Sequence, residues 1–198
     1  MIEKNLLNSK LDNSLADKLR TSLSAAGLKL INLTHYQLSE VLSKIHLTTL
    51  INAPVERVFD LSRSINLHKI STSSTKEDAI AGVITGLISL NETVTWQAKH
   101  LYKTRRFTSK IITMEKPGFF TDEMIYGDFK SFKHEHHFKQ IENGTLMIDL
   151  VEFESPYGPL GNLVNKLFLN NYLQKLLVNR NTVIKEYAET QKWKLILY

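Results

Sequence analysis

Three histidines fall close together in the second half of the chain, His134, His136 and His137, as His-Glu-His-His inside a strand-like segment over residues 129–140. On a strand only His134 and His136 can face the same way. Three kinds of chemistry follow from that pair. A zinc site would need a third ligand, for which Asp122 in the preceding strand-like segment is the candidate, and an open position for water. A general acid or base would need only one of His134, His136 or Asp122 beside a bound substrate. Two alternating histidines fall short of a metal motif, so hydrogen-bonded cavity histidines are the expectation, with no metal and no cofactor. His68, after a short helix, reads either as a residue near a cavity mouth or as a partly exposed loop histidine.

Arg180 is the other residue whose position demands an explanation. It falls near the centre of an apolar helical stripe, between Leu176, Leu177, Val183 and Ile184. A guanidinium cannot be neutralised, so on a buried face it must find a carboxylate, carbonyls, water or an anionic ligand group. Asp122, Asp149 and Glu92 are the carboxylate candidates. The alternative is a stem that covers the core edge while the head reaches water. No nucleophile arrangement accompanies these groups. The chain has no cysteine, no Gly-x-Ser-x-Gly, no Walker loop and no dinucleotide glycine pattern.

The elements that must position these residues come in a simple order. Residues 46–51 read as a strand, Pro54 opens a short helix carrying Val55, Val58 and Phe59, a second short helix covers residues 65–70, and a short strand covers residues 78–81. Five strand-like segments follow with short turns between them, over residues 92–101, 106–114, 119–126, 129–140 and 145–154, so consecutive strands are antiparallel neighbours. The chain closes with one long amphipathic helix over residues 159–187. Leu169, Tyr172, Leu173, Leu176, Leu177, Val183, Ile184 and Tyr187 make its main stripe. An earlier stripe of Leu160, Leu163, Val164 and Leu167 lies nearly opposite in phase. The helix is therefore expected to bend or to change packing surface near Leu169, with part of the first segment forming a movable lid. An antiparallel sheet with one apolar face needs a cover, and this helix is the only element long enough.

Composition is that of an ordinary globular chain: 198 residues, 42% hydrophobic and a net charge of +5 with one local knot at Lys103, Arg105 and Arg106. No run of eighteen apolar residues and no signal-like start occurs, which points to a soluble cytoplasmic protein. The basic charge reads as a solvated surface, with no nucleic-acid partner expected. Residues 1–43 read as a helical appendage, residues 44–192 as the main domain and residues 193–198 as an apolar tail. A protein partner through residues 1–43 and a transient membrane contact are left open.

Specific residues carry a family likeness. Asn52-Ala53-Pro54-Val55-Glu56-Arg57-Val58-Phe59 resembles the strand-to-helix opening of the SRPBCC superfamily, whose helix-grip fold is shared by START lipid-transfer domains, birch-pollen-allergen-like proteins and polyketide cyclases. Asp60-Leu61 with Asn66-Leu67-His68, Glu92-Thr93-Val94-Thr95-Trp96, Asp122-Glu123-Met124, Phe129 with Phe132, and residues 155–161 resemble a bacterial subgroup loosely labelled cyclase/dehydrase or cell division inhibitor. The resemblance spans residues 45–189. It implies an α+β helix-grip fold: a curved antiparallel sheet wrapped around a long C-terminal helix, with two short helices after the first strand. It also implies a cavity for an apolar small molecule, and coenzyme-Q-binding proteins are among the relatives.

Strand parity and the helix stripe then name the residues expected to line that cavity. They are His68, Trp96, Phe120, Asp122, Met124, Phe132, His134, His136, Val151, Phe153, Leu173, Leu177 and Arg180. The expected function is non-catalytic binding or carriage of a hydrophobic or amphipathic small molecule such as a lipid, quinone or polyketide. Two alternatives stay open: a polyketide cyclase/dehydrase-type enzyme using His134, His136 or Asp122, and a regulatory or structural interaction protein.

Overall fold

The computed structural model describes residues 42–100, 103–155 and 168–198. The helices expected within residues 1–43, the Pro159 helix start and the stripe from Leu160 to Leu167 lie outside them. Strand β1 (Ser43–Ile51) leads into α1 (Val55–Ser62), α2 (Ile65–Ser71) and a 3-10 turn at Ser73–Thr75. Six strands follow: β2 (Asp78–Gly82), β3 (Thr93–His100), β4 (Lys103–Glu115), β5 (Phe119–Tyr126), β6 (Ser131–Ile141) and β7 (Gly144–Glu154). Helix α3 (Asn170–Glu189), a 3-10 turn (Gln191–Trp193) and α4 (Lys194–Leu197) close the chain.

All seven strands form one antiparallel sheet in the order β1-β7-β6-β5-β4-β3-β2. The meander from β2 to β7 follows from its short turns, which leave each strand no neighbour but the one just made. β1 then pairs with β7 at the far edge, in register from Ser43 opposite Phe153 to Ile51 opposite Thr145. The inward faces are those of the period-2 pattern: Val94, Trp96 and Ala98 on β3, His134, His136 and Phe138 on β6, and Met147, Asp149, Val151 and Phe153 on β7 are all buried.

Local chemistry starts and ends the helices. Pro54 precedes α1, and the free Val55 N–H donates to Gln140 Oε1 at 3.0 Å. The Ser64 hydroxyl caps α2 by accepting from Leu67 N. Phe59 then meets the stacked Phe120 and Phe138 rings with edge-on contacts at 5.6 Å and 5.4 Å, tying α1 to β5 and β6. Phe168 and Leu169 take π-helical geometry at the entrance to α3. The end of the chain folds onto the core: Arg57 lies 4.4 Å over the Trp193 ring, and Trp193, Ile196 and Leu197 pack against the main cluster. No helix among the described residues is long and apolar enough to cross a membrane.

Gly82 ends β2 at φ +74, and a β carbon there would lie 2.1 Å from the Thr93 carbonyl oxygen. Replacing Gly82 by alanine is expected to cost at least about 1–3 kcal/mol, read as a lower urea midpoint at unchanged slope.

Candidate functional site

Between the sheet and α3 lies a cavity of about 390 Å³. Its walls are apolar and aromatic: Ile88 and Trp96, Phe107 and Ile111 from β4, Phe120, Phe129 and Phe132, and Leu169, Leu173, Leu176 and Leu177 from the helix side. Leu173, Leu176 and Leu177 are only half-buried although they face inward, because they border space rather than packed atoms. Arg105 and Asp128, which pair with each other while exposed to solvent, also border it.

One side of the cavity is polar. His134, His136 and Asp122 reach it from adjacent strands, because the β5–β6 register sets Asp122 opposite His134 and Phe120 opposite His136. The imidazoles lie 3.7 Å apart between ring centroids, and Phe120 stacks on His136 at 4.1 Å. Behind them sits Asp149, 0% exposed, on β7. Its Oδ1 is 3.0 Å from His134 Nε2 and 3.4 Å from an Arg180 nitrogen, and its Oδ2 accepts from Asn181 Nδ2 at 2.7 Å. Arg180, 7% exposed, also donates to the Ser62 carbonyl at 3.0 Å and to Asn181 Oδ1 at 3.2 Å. The head of Arg180 is therefore turned inward and joins α3 to β7 and α1, rather than reaching for water. Replacing Arg180 by methionine leaves Asp149 without the guanidinium that faces it and should cost about 3–5 kcal/mol; a loss below about 1 kcal/mol would instead fit a surface-reaching side chain.

The carboxylates are held ionised. Burial pushes Asp149 up, but the hydrogen bond from His134, the nearby His136 ring and the Arg180 charge outweigh it and hold the carboxyl well below its ordinary value. Burial likewise raises Asp122, and the His136 hydrogen bond and the charges around it bring it below the usual value. Burial first, and the neighbouring His136 ring second, lower His134 to about 4, so its ring is neutral at pH 7. It can then donate to Asp149 through Nε2.

Ten of the thirteen residues expected at the cavity border it: His68, Trp96, Phe120, Asp122, Phe132, His134, His136, Leu173, Leu177 and Arg180. Three do not. Met124 turns its sulfur toward Gly127 and Phe107, so close that a β carbon on Gly127 would meet it at 2.7 Å. Val151 and Phe153 are fully packed with Ile45 in a satellite cluster under Phe129, Phe132 and Leu173. His68 stacks on Trp96 at 4.1 Å, with Nε2 3.5 Å from Glu77. His137 faces the other side of β6 and meets Glu135 at 3.1 Å. Glu92, a candidate partner for Arg180, instead accepts from Ser89 N at 2.7 Å. Arg63 was not anticipated: it is buried against the cavity, held by Asp60 and the Ile88 carbonyl. An arginine just past the end of a short amphipathic helix, three residues after an aspartate, was the available signal.

No family model and no curated protein matches the sequence. Solved structures do. TTHA0849 from Thermus thermophilus aligns at TM-score 0.58 and 18% identity, over 72% of this chain and 97% of that one. Ara h 8.0201 aligns at TM-score 0.54 and 12% identity, over 74% and 97%. Ginseng major latex-like protein 151 from Panax ginseng aligns at TM-score 0.54 and 14% identity, over 76% and 99%. The chain has the helix-grip fold. At these identities the likeness establishes the helix-grip architecture, a curved antiparallel sheet closed by a long helix, and the cavity residues speak for themselves.

Proposed function

We propose that the helix-grip cavity binds a hydrophobic or amphipathic small molecule. The observation that carries this reading is the pairing of a 390 Å³ aromatic and aliphatic chamber with one buried polar wall made by His134, His136 and Asp122. Natural small-molecule sites have this composition, in which apolar walls supply the burial and a few convergent polar groups fix orientation. The polar wall also selects. At this wall Asp122, with Asp149 behind it, outnumbers the single guanidinium of Arg180, while Arg63 and Arg105 elsewhere on the cavity are already paired with Asp60 and Asp128, so an anionic head group is disfavoured at the wall and a neutral oxygen-bearing one, such as a quinone, phenol or polyketone, fits best. Titration with the neutral dye Nile red should give saturable emission, and Leu177→Trp, which fills the chamber from α3, should weaken binding at least about tenfold. Linear, non-saturable emission that ignores Leu177→Trp would remove the reading.

The Asp122 and His136 pair favours a second reading, acid–base catalysis on a bound polyketone. His136 Nε2 lies 3.1 Å from Asp122 Oδ2, within proton-transfer reach, and both border the cavity. Turnover of an aromatic polyketide precursor that vanishes in His134→Ala and Asp122→Asn while Nile red still binds would establish it. Binding without turnover leaves the carrier reading.

A further inference from the structure

His136 is 2% exposed and lies between two carboxylates. Its Nε2 is 3.1 Å from Asp122 Oδ2 and its Nδ1 is 3.0 Å from Asp149 Oδ1, the latter in an orientation that makes no hydrogen bond. A neutral imidazole carries one N–H, so whichever tautomer is present, one ring nitrogen has no proton to set against the carboxylate oxygen beside it. His134 already shares Asp149 with Arg180 and Asn181, and cannot supply the missing positive partner. The polar wall is short of one cation. A proton on His136 would fill the gap, and so would a metal ion.

We propose that Asp122, His134 and His136 bind one first-row divalent transition-metal ion at the polar wall of the cavity. A nitrogen from each histidine and an oxygen from Asp122 all lie within 4.8 Å of one another. Ligand atoms around an ion with bonds of about 2.0–2.1 Å stand somewhat closer than that, a contraction side-chain rotation of about 1 Å provides. Two imidazoles and one carboxylate are the donor set of zinc and of non-haem iron sites that keep coordination positions open. Asp149 stands behind the rings as the outer carboxylate that orients metal-bound histidines. The ion would replace the missing positive charge between His136 and Asp122. Its open positions would face the aromatic chamber, where an oxygen of the bound molecule could complete the shell; that last step rests on the ligand-cavity reading, and the ion itself does not.

The test is calorimetric titration of chelator-treated full-length protein with Zn²⁺, and with Co²⁺ followed by its visible absorption. Wild type should take up one equivalent of Zn²⁺, and cobalt should show the intense bands of a low-symmetry nitrogen and oxygen site. Asp122→Asn and His136→Gln, which keep shape, should each lower the affinity at least tenfold, while His46→Gln and His137→Gln on other faces should leave it unchanged. Thermal melting of the metal-free variants checks that they are folded. Absence of uptake by the wild type, or uptake insensitive to Asp122→Asn and His136→Gln, overturns the proposal. Nitrogen NMR of the histidine rings showing His136 as an imidazolium in a protein that takes up no Zn²⁺ would also overturn it, with a proton filling the gap. Nile red titration in chelator is independent of these outcomes, so a failed metal site and a failed ligand cavity are told apart.

Discussion

Asp149→Ala should lower stability by about 3–5 kcal/mol, on the order of 10 °C in melting temperature for a chain of this size, as large as the effect of losing its partner Arg180. One carboxylate holds three groups by hydrogen bonds, His134, Arg180 and Asn181, with the His136 ring beside it. Its removal leaves a buried guanidinium on α3 hydrogen-bonded to the Ser62 and Asn181 oxygens but without the carboxylate that faces it directly. Asp149→Asn keeps the shape and an acceptor oxygen but loses the charge, so its cost should be intermediate. Glu152 on the same strand is the control, because it points outward and pairs with exposed Lys44. Glu152→Ala should cost less than about 1 kcal/mol. Equal small losses for Asp149→Ala and Glu152→Ala, measured by urea unfolding, would show that the network does not fasten the helix to the sheet.

Acid should loosen the fold in two stages. His134 is held at about 4, below its ordinary 6.5, by burial first and by the neighbouring His136 ring second. The unfolded chain therefore takes up this proton more readily than the folded one. The stability this confers is complete above about pH 6.5 and is lost as pH falls toward 4, by up to on the order of 3 kcal/mol. Asp149 and Asp122 have the opposite arrangement, with folded values below the ordinary 3.8, so their contribution is complete above pH 3.8 and disappears only as pH falls further. Urea midpoints measured in chelator should decline between pH 6.5 and 4, and His134→Gln should flatten that decline while leaving the steeper loss below pH 3.8. A midpoint that is the same at pH 7 and pH 4.5 would contradict the buried neutral His134.

The fold was legible because its signals are local. The Asn52-Ala53-Pro54 break, the turn residues between 115 and 145 and the period-2 alternation leave little freedom in a meander that the long helix must cover. The pairing of His134 and His136 was legible for the same reason, and Arg180 was legible from its place in the helix stripe. Position within the inward face was not. Val151 and Phe153 share a face with Asp149, yet they are packed tight where Phe129 and Leu173 press on β7, while the cavity opens beside β5 and β6. Alternation tells in from out, but not packed from hollow, which depends on how far the helix stands from the sheet. Met124 shows a second limit: it shares the face of Asp122, opposite cavity-lining Ser109, yet its sulfur lies over Gly127 beyond the cavity, a side-chain direction that alternation does not report. Nor does spacing along one strand show that His136 lies between Asp122 and Asp149, because that juxtaposition needs the registers of β5, β6 and β7 together.

The most direct test of the central claim is native mass spectrometry of the full-length protein purified from its own organism, followed by organic extraction. A bound molecule seated in the chamber predicts a discrete heavier species that extraction releases as an apolar or amphipathic compound, and that is lost from the Leu177→Trp protein. The mass of the bare chain alone, together with no saturable Nile red binding, would contradict the account.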